Sequence, residues 1–357
     1  MKFLMAGGGT GGHVMPALAV ARELKRRGHE PFFAGTRSGL EATLVPSAGF
    51  PIEWVEIGGL KRVGLARTLR TLWQLPSSTL AMAAALGRWR PAAVFSMGGY
   101  VAGPVMLAAW LRRIPMVLME PNAIPGMTNR WMGRMVKRAL VNFAETAAHF
   151  PPGRAEVTGV PVRPEFFAIP PKPRGAKLVV LITGGSRGSR TLNQAARQSW
   201  PLFKESGPCV RFIHQAGSGA DAELAREFAA SGLCGQVTAF IDDMPAAFAE
   251  ADLIICRSGA GAVAELAAAG KPSILVPFPF AADDHQTRNA EVLARAGAAR
   301  LIPDAEFTGR RLFEEVAALA AEPGALEKMG EAARQFARPH AAEHTADLLE
   351  ELARGRA

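Results

Sequence analysis

Two stretches of this chain share one plan, and that repetition constrains the fold more than any other feature. Lys2 to Ala6 is an apolar run of strand character that enters the loop Gly7-Gly8-Gly9-Thr10-Gly11-Gly12. Met15 to Arg27 then carries apolar residues at Ala17, Leu18, Val20, Ala21 and Leu24, the spacing of a helix, which Gly28 ends. Pro31 to Ala34 supplies the next short strand. Near the middle of the 357 residues the plan returns: Lys177 to Ile182 as strand, Thr183-Gly184-Gly185-Ser186-Arg187-Gly188-Ser189 as loop, Leu192 onward as helix. Two strand–glycine loop–helix units of this kind predict an α/β chain of two Rossmann-like, doubly wound domains in tandem, facing across a cleft.

The segment between them fits that division. Residues 151–176 hold Pro151, Pro152, Pro161, Pro164, Pro170, Pro171 and Pro173, a density no helix or central strand tolerates. We place the hinge near Val160 to Pro164, giving domains 1–162 and 163–339. A last helix near 340–356 can pack back on the first. Within the second domain, strands are expected at Val210 to Gln215, Val237 to Phe240, Leu253 to Cys256 and Ser273 to Val276, with helices at Ala220 to Ala230 and Ala260 to Ala269.

Charge divides the halves differently. The net +9 comes from 19 basic and 8 acidic residues in 1–162, against 22 and 24 in 163–357. Between Glu56 and Glu120 no acid occurs, while Lys61, Arg62, Arg67, Arg70, Arg88, Arg90, Arg112 and Arg113 all do. Such a stretch attracts anions, whether lipid headgroups or nucleic acid. Residues 60–73 interleave those cations with leucines and Trp73 at nearly helical spacing; this reads either as a solvated face over a core stripe or as an interfacial segment.

Several classes are disfavoured. The apolar start is too short for a secretory signal, and the uncharged stretch Pro91 to Leu111 is broken by Pro91, Gly98, Gly99, Gly103 and Pro104 into strand, loop and helix. Cys209, Cys234 and Cys256 form no C-x-x-C pair, which fits a reducing cytoplasm. Gly7-x-Gly9-x-x-Gly12 matches the dinucleotide fingerprint, yet the next strand ends Phe33-Ala34-Gly35-Thr36-Arg37 without the acid that holds ribose. Neither Thr183 to Ser189 nor Arg257 to Ala262 contains the G-x-x-x-x-G-K-[ST] pattern of a P-loop. Metal-independent chemistry without a cofactor is expected: there is no D-x-D triplet, and Asp283-Asp284-His285 is a thin metal signal. No recognition helix or stacking motif points to nucleic acid.

What remains are anion cradles and a proton acceptor. Thr183 to Ser189 and Arg257 to Ala262 each present backbone amides at a helix start, a setting suited to phosphate oxygens. Glu265 lies a turn inside the second of these helices, either as a dipole partner or as a grip on ribose hydroxyls. His13, at the mouth of the first glycine loop, is well placed for proton transfer.

The motifs GGGTGGHVMPALAVA at 7–21, SMGGYVAGP at 96–104, PNAIPGMTN at 121–129, TGGSRGSRTLN at 183–193, RSGAGAVAELAAAGKP at 257–272 and DDHQTRNA at 283–290 resemble, almost end to end, the lipid I N-acetylglucosaminyltransferases of peptidoglycan synthesis, the MurG type. The resemblance implies a GT-B fold and transfer of GlcNAc from UDP-GlcNAc to the 4-hydroxyl of MurNAc in lipid I, with inversion, giving lipid II and UDP. It implies work on the cytoplasmic face of the bacterial inner membrane, held peripherally by anionic inner-leaflet lipids, beside other cell-wall synthesis and division proteins.

Motif by motif, the resemblance implies that Thr10, Gly11 and Gly12 line the acceptor side and that Asn122 lies near the donor sugar. It gives Arg163 and Ser186 donor contacts, Ile241 a backbone contact with uracil, Ala260, Gly261, Ala262, Val263, Ala264 and Glu265 the phosphates and ribose, and Gln286 the GlcNAc. Lys61, Arg62, Arg67, Arg70, Trp73, Gly98, Gly99 and Tyr100 are expected on the membrane and acceptor side. The family's His-Glu-Gln-Asn reads Met119-Glu120-Pro121-Asn122 here, so roles of the missing His and Gln do not transfer. His13 is the first choice of catalytic base and Glu120 the second. A UDP-GlcNAc 2-epimerase or another GT-B UDP-sugar transferase is the alternative.

Overall fold

The computed structural model describes residues 1–9, 11–57, 65–173, 175–219 and 221–355, and within these the side chains of 65–72 lie outside the description. The chain divides into two compact units, Met1–Val162 together with Arg338–Ala357, and Arg163–Ala337.

In the first unit seven strands, β1 (Lys2–Gly7), β2 (Glu30–Gly35), β3 (Ile52–Trp54), β4 (Ala93–Gly98), β5 (Met116–Glu120), β6 (Arg138–Val141) and β7 (Ala155–Val157), form one sheet in the order β3-β2-β1-β4-β5-β6-β7. Every pairing is parallel, with Phe3 opposite Pro31 on one side and Ala93 on the other. Helices cover both faces, so β1, β4 and β5 are buried nearly throughout and read as continuous apolar runs, not as alternation. Phe3, Met5, Phe33 and Phe95 feed one core layer, and Leu4, Phe32, Val94 and Leu118 the other.

The second unit repeats the arrangement with six strands: β8 (Leu178–Thr183), β9 (Val210–Gln215), β10 (Cys234–Thr238), β11 (Leu253–Cys256), β12 (Ser273–Leu275) and β13 (Ala299–Leu301). Their order is β10-β9-β8-β11-β12-β13, again all parallel. In both sheets the chain leaves its first strand to one side and later returns on the other. The crevice at that reversal, beyond the carboxyl ends of β1 and β4 or of β8 and β11, is where open parallel sheets bind ligands.

Two details differ from the expectations. The first helix runs Gly11–Arg26, so the last loop glycines form its first turn. Pro16 lies inside this helix, within its first two turns. The strand expected at Val237 to Phe240 is Cys234–Thr238, a largely exposed edge strand. The helix Leu65–Trp89 carries an internal Pro76 and has no acidic residue in its first turn.

The helix Ala341–Ala353 belongs to the first unit. Its Ala346, Leu349 and Leu352 join the core layer beneath helix Gly11–Arg26. Polar contacts fix its register: Arg27 with Asp347 and Glu350, His29 with Glu350 at 3.0 Å, His344 with Glu156 at 2.6 Å.

Candidate active site

At the reversal of the first sheet, the turn after β1 meets the turn after β4. Gly9 adopts φ +86°, a conformation that strains side-chain-bearing residues, and a Cβ there would press on the ring of Tyr100. His13 stands in the first helical turn, part-buried, and its Nδ1 lies 3.2 Å from the Gly8 carbonyl oxygen. That contact makes Nδ1 the protonated nitrogen, so the tautomer is assigned from it and Nε2 carries the lone pair. Gly99, at φ +78°, backs the imidazole so closely that a Cβ would lie 3.3 Å from its Cε1.

A residue the sequence reading missed supports this turn from beneath. Glu41, fully buried, accepts the Gly9 N–H at 2.7 Å, the Thr36 N–H at 2.9 Å and the Thr36 hydroxyl at 2.8 Å. Burial pushes its carboxyl up, but these donors outweigh it and hold the group below the ordinary carboxylate range. An acid does therefore follow β2, a few residues beyond the ribose position, and it faces inward.

Glu120 behaves differently. Its Oε1 accepts the Asn122 N–H at 2.9 Å and Asn122 Nδ2 at 3.1 Å; its Oε2 accepts the Gly126 N–H at 3.0 Å and Asn129 Nδ2 at 2.9 Å. The residue is 1% exposed, and burial raises its carboxyl above the ordinary value in spite of those bonds. Both oxygens are thus committed to folding the 121–126 loop. Such a group clamps a loop, with both oxygens already accepting hydrogen bonds. Asn122 is the partner that this clamp holds.

The reversal of the second sheet is built from neutral and cationic parts. Ser189 caps helix Arg190–Ser206 by accepting the Leu192 N–H at 3.3 Å. Arg257 reaches Ser189 Oγ from Nη2 at 2.7 Å, while its Nη1 binds Asp304 and the carbonyls of Val276 and Pro277, both at 3.0 Å. Gln215, 1% exposed, donates to the Gly185 carbonyl at 2.7 Å and accepts the Ile241 N–H at 3.2 Å. The two loops touch backbone to backbone, since a Cβ on Gly188 would run into the carbonyl of Ala216. Gln215 and Arg257 thus hold the glycine loop, the Ile241 backbone and the helix start at residue 260 in one frame. Their roles depend on tertiary contact, so neither stood out in the sequence.

The helix Ala260–Ala269 starts behind Gly259 with no side-chain cap, which leaves its first-turn amides for a ligand. Glu265, half-buried on that helix, has its carboxyl pushed up to about 7 by burial, with Arg163 acting in the opposite direction. Among the described residues it makes no hydrogen bond. Gln286 accepts the Phe278 N–H on its Oε1 at 2.9 Å, while Ser258 Oγ donates to its carbonyl at 2.8 Å, so this side chain is anchored beside residues 258–260. Ser186 lies exposed in the glycine loop. No cluster of three or more His, Cys, Asp or Glu able to hold a metal occurs among the described residues.

Of the residues expected on the membrane and acceptor side, Thr10, Lys61 and Arg62 lie outside the described residues, as do the side chains of Arg67 and Arg70. Trp73 is 85% exposed, and Leu80, exposed as well, stands two turns on along the same helix face. Helix Ala102–Leu111 packs beside that helix and ends in exposed Trp110 and Leu111, followed by Arg112 and Arg113. Gly98, Gly99 and Tyr100 instead sit at the first reversal, with the Tyr100 hydroxyl 3.2 Å from Thr36 Oγ1. Among the described residues no helix is long and apolar enough to cross a membrane.

Two all-parallel doubly wound sheets in tandem, each with a glycine turn leaving its first strand, define the GT-B class of glycosyltransferase folds. The chain belongs to glycosyltransferase family 28, and within it to the MurG type: the family's N-terminal domain matches residues 3–141 and its C-terminal domain residues 179–345. A relative from Solibacter usitatus, a UDP-N-acetylglucosamine--N-acetylmuramyl-(pentapeptide) pyrophosphoryl-undecaprenol N-acetylglucosamine transferase, is 64% identical over 353 residues, 99% of this chain and 96% of its own. The crystal structure of Acinetobacter baumannii MurG superposes with a TM-score of 0.82 at 34% identity, over 98% of this chain and 99% of that one. A UDP-GlcNAc 2-epimerase from Neisseria meningitidis, solved with UDP-GlcNAc, reaches a TM-score of 0.69 over 98% of this chain and 100% of its own, but at 15% identity it shares the fold alone.

Proposed function

We propose that the protein transfers GlcNAc from UDP-GlcNAc to the 4-hydroxyl of MurNAc in lipid I, giving lipid II and UDP, by a single inverting displacement that needs no metal. The observation that carries this reading is the 64% identity with the Solibacter transferase over 99% of this chain. In the reaction the acceptor oxygen forms a bond to the anomeric carbon as the bond from that carbon to the diphosphate breaks, and the electron pair leaves with UDP. The hydroxyl proton goes to His13 Nε2, the nitrogen left basic by the Nδ1 contact with Gly8.

Charge accumulating on the diphosphate is met by the amides of Ser186, Arg187 and Ser189 and by the uncapped start of helix Ala260–Ala269. Ribose hydroxyls donate to Glu265, which would ionise on binding. Gln286, anchored through its Oε1, offers its amide nitrogen to the sugar. We further assign Trp73, Leu80, Trp110 and Leu111, with the basic stretch around them, to docking on anionic inner-leaflet lipids.

Incubation with labelled UDP-GlcNAc and a lipid I analogue tests the reading. Formation of a β-linked disaccharide product that depends on the acceptor, at a rate unchanged by EDTA, is the expected result. Conversion of the labelled sugar without acceptor would identify the epimerase alternative instead.

A further inference from the structure

Resting on the reading of His13 as base, we propose that Glu41 is a positioning residue for the transfer reaction: its buried carboxylate fixes the Gly8–Gly9 turn and thereby sets the place and the charge environment of the His13 imidazole. Gly8 joins the two groups. Its carbonyl receives His13 Nδ1–H at 3.2 Å, and a Cβ on its other side would overlap the Glu41 carboxylate. Gly35 and Gly39 crowd Glu41 in the same way, so three positions without side chains make room for this one group.

The carboxylate holds both ends of the turn's support, taking the N–H of Gly9 from the turn itself and the N–H and hydroxyl of Thr36 from the end of β2. Because the Thr36 hydroxyl proton is used on Glu41, the Tyr100 hydroxyl donates to Thr36 Oγ1, and the chain of bonds ends on the residue whose ring covers Gly9. A group with no contact with water and three donors stays charged through the neutral range. That fixed negative charge beneath the turn favours the imidazolium formed when His13 takes the acceptor's proton. Glutamine at this position keeps the shape, removes the charge and turns an NH2 toward one of the three donors, which leaves that donor unmatched.

The test reads two quantities in the full chain: the titration midpoint of His13, by NMR of isotope-labelled histidine, and kcat and KM of the transfer. In Glu41→Gln the midpoint should fall and kcat drop about tenfold or more, while KM for UDP-GlcNAc stays within about twofold, since the donor is assigned to the other unit. Thr36→Val, which removes one donor and leaves the carboxylate, should move both quantities the same way by less, and it serves if Glu41→Gln fails to fold. An unchanged midpoint with kcat within about twofold of wild type overturns the proposal. Activity retained in His13→Ala would strike only the assignment of the base, because the midpoint reads the coupling of Glu41 to His13 directly.

Discussion

The two glycine turns share strand order and position but rest on opposite supports. Under the first lies Glu41, a fully buried carboxylate held charged by Gly9 and Thr36. Under the second lie the amide of Gln215 and the Arg257–Asp304 pair, whose charges offset each other. A diphosphate brought to the first turn would face uncompensated negative charge in a low-dielectric surrounding; at the second it meets amide dipoles over a neutral base. Under the proposed mechanism the same backbone motif serves a proton acceptor in one unit and a leaving anion in the other, and the difference in support is made by side chains far from either motif in sequence.

The largest effect that would sharpen this comparison is expected at His13. His13→Ala should lower kcat about 10²–10⁴-fold, the usual worth of a general base, while calorimetry finds UDP affinity unchanged. Near-normal turnover in a folded variant would end the assignment. Next comes Arg257→Met, which should weaken UDP-GlcNAc binding by roughly 30-fold in titration calorimetry, because it releases Ser189 and leaves Asp304 unpaired. Binding unaffected by this change would mean that the second turn does not depend on its support.

Glu265→Gln should weaken the donor by about tenfold and abolish a proton release. With a free-enzyme value of about 7, the carboxyl is partly protonated at neutral pH; ribose hydroxyls favour the ionised form, so binding between about pH 6 and 8 expels a proton, measurable in buffers of different ionisation enthalpy. The same raised value makes the folded state bind more protons than the unfolded chain. Stability from this group is therefore complete below the ordinary carboxylate range and declines as pH rises through about 7, a slope that Glu265→Gln removes from thermal melts. The smallest effect, a few-fold loss of co-sedimentation with anionic vesicles, is expected when Arg67, Arg70 and Trp73 are changed together, and the wild-type binding should itself fall with salt. Full retention would sever the exposed tryptophans from membrane docking.

Much of this architecture is legible in the residues because central parallel strands are buried on both faces. Leu178–Thr183 and Leu253–Cys256 are unbroken apolar runs, and the helix Ala260–Ala269 is bracketed by Gly259 and a left-handed Gly270 at φ +60°. Where burial is partial the signal fades: β10 starts at Cys234 with an exposed pattern and contains Gly235, so nothing apolar marks its beginning. The three-residue strands β3 and β7 are too short to show a period. In the site, His13 is legible from its place after a glycine loop. Glu41 and Gln215 are not, since what each does depends on which loop the fold brings against it. Glu120 is legible as an acid inside a motif, but the four donors that surround it are not, because they come from a loop and a helix that the fold brings together.

The helix Ala341–Ala353 completes the core around helix Gly11–Arg26, although more than 300 residues of chain lie between them. The second unit is thus an insertion within the first, and synthesis proceeds from one end. As the chain emerges from the ribosome, Arg163–Ala337 can bury its whole core while the apolar face of the opening helix still waits for Leu349 and Leu352. The unit whose synthesis starts before the other is thus the later to close. A chaperone holding the nascent chain would find its exposed surface there, and a change such as Leu349→Ala would lengthen that exposure as well as cost the finished protein about 2–5 kcal/mol.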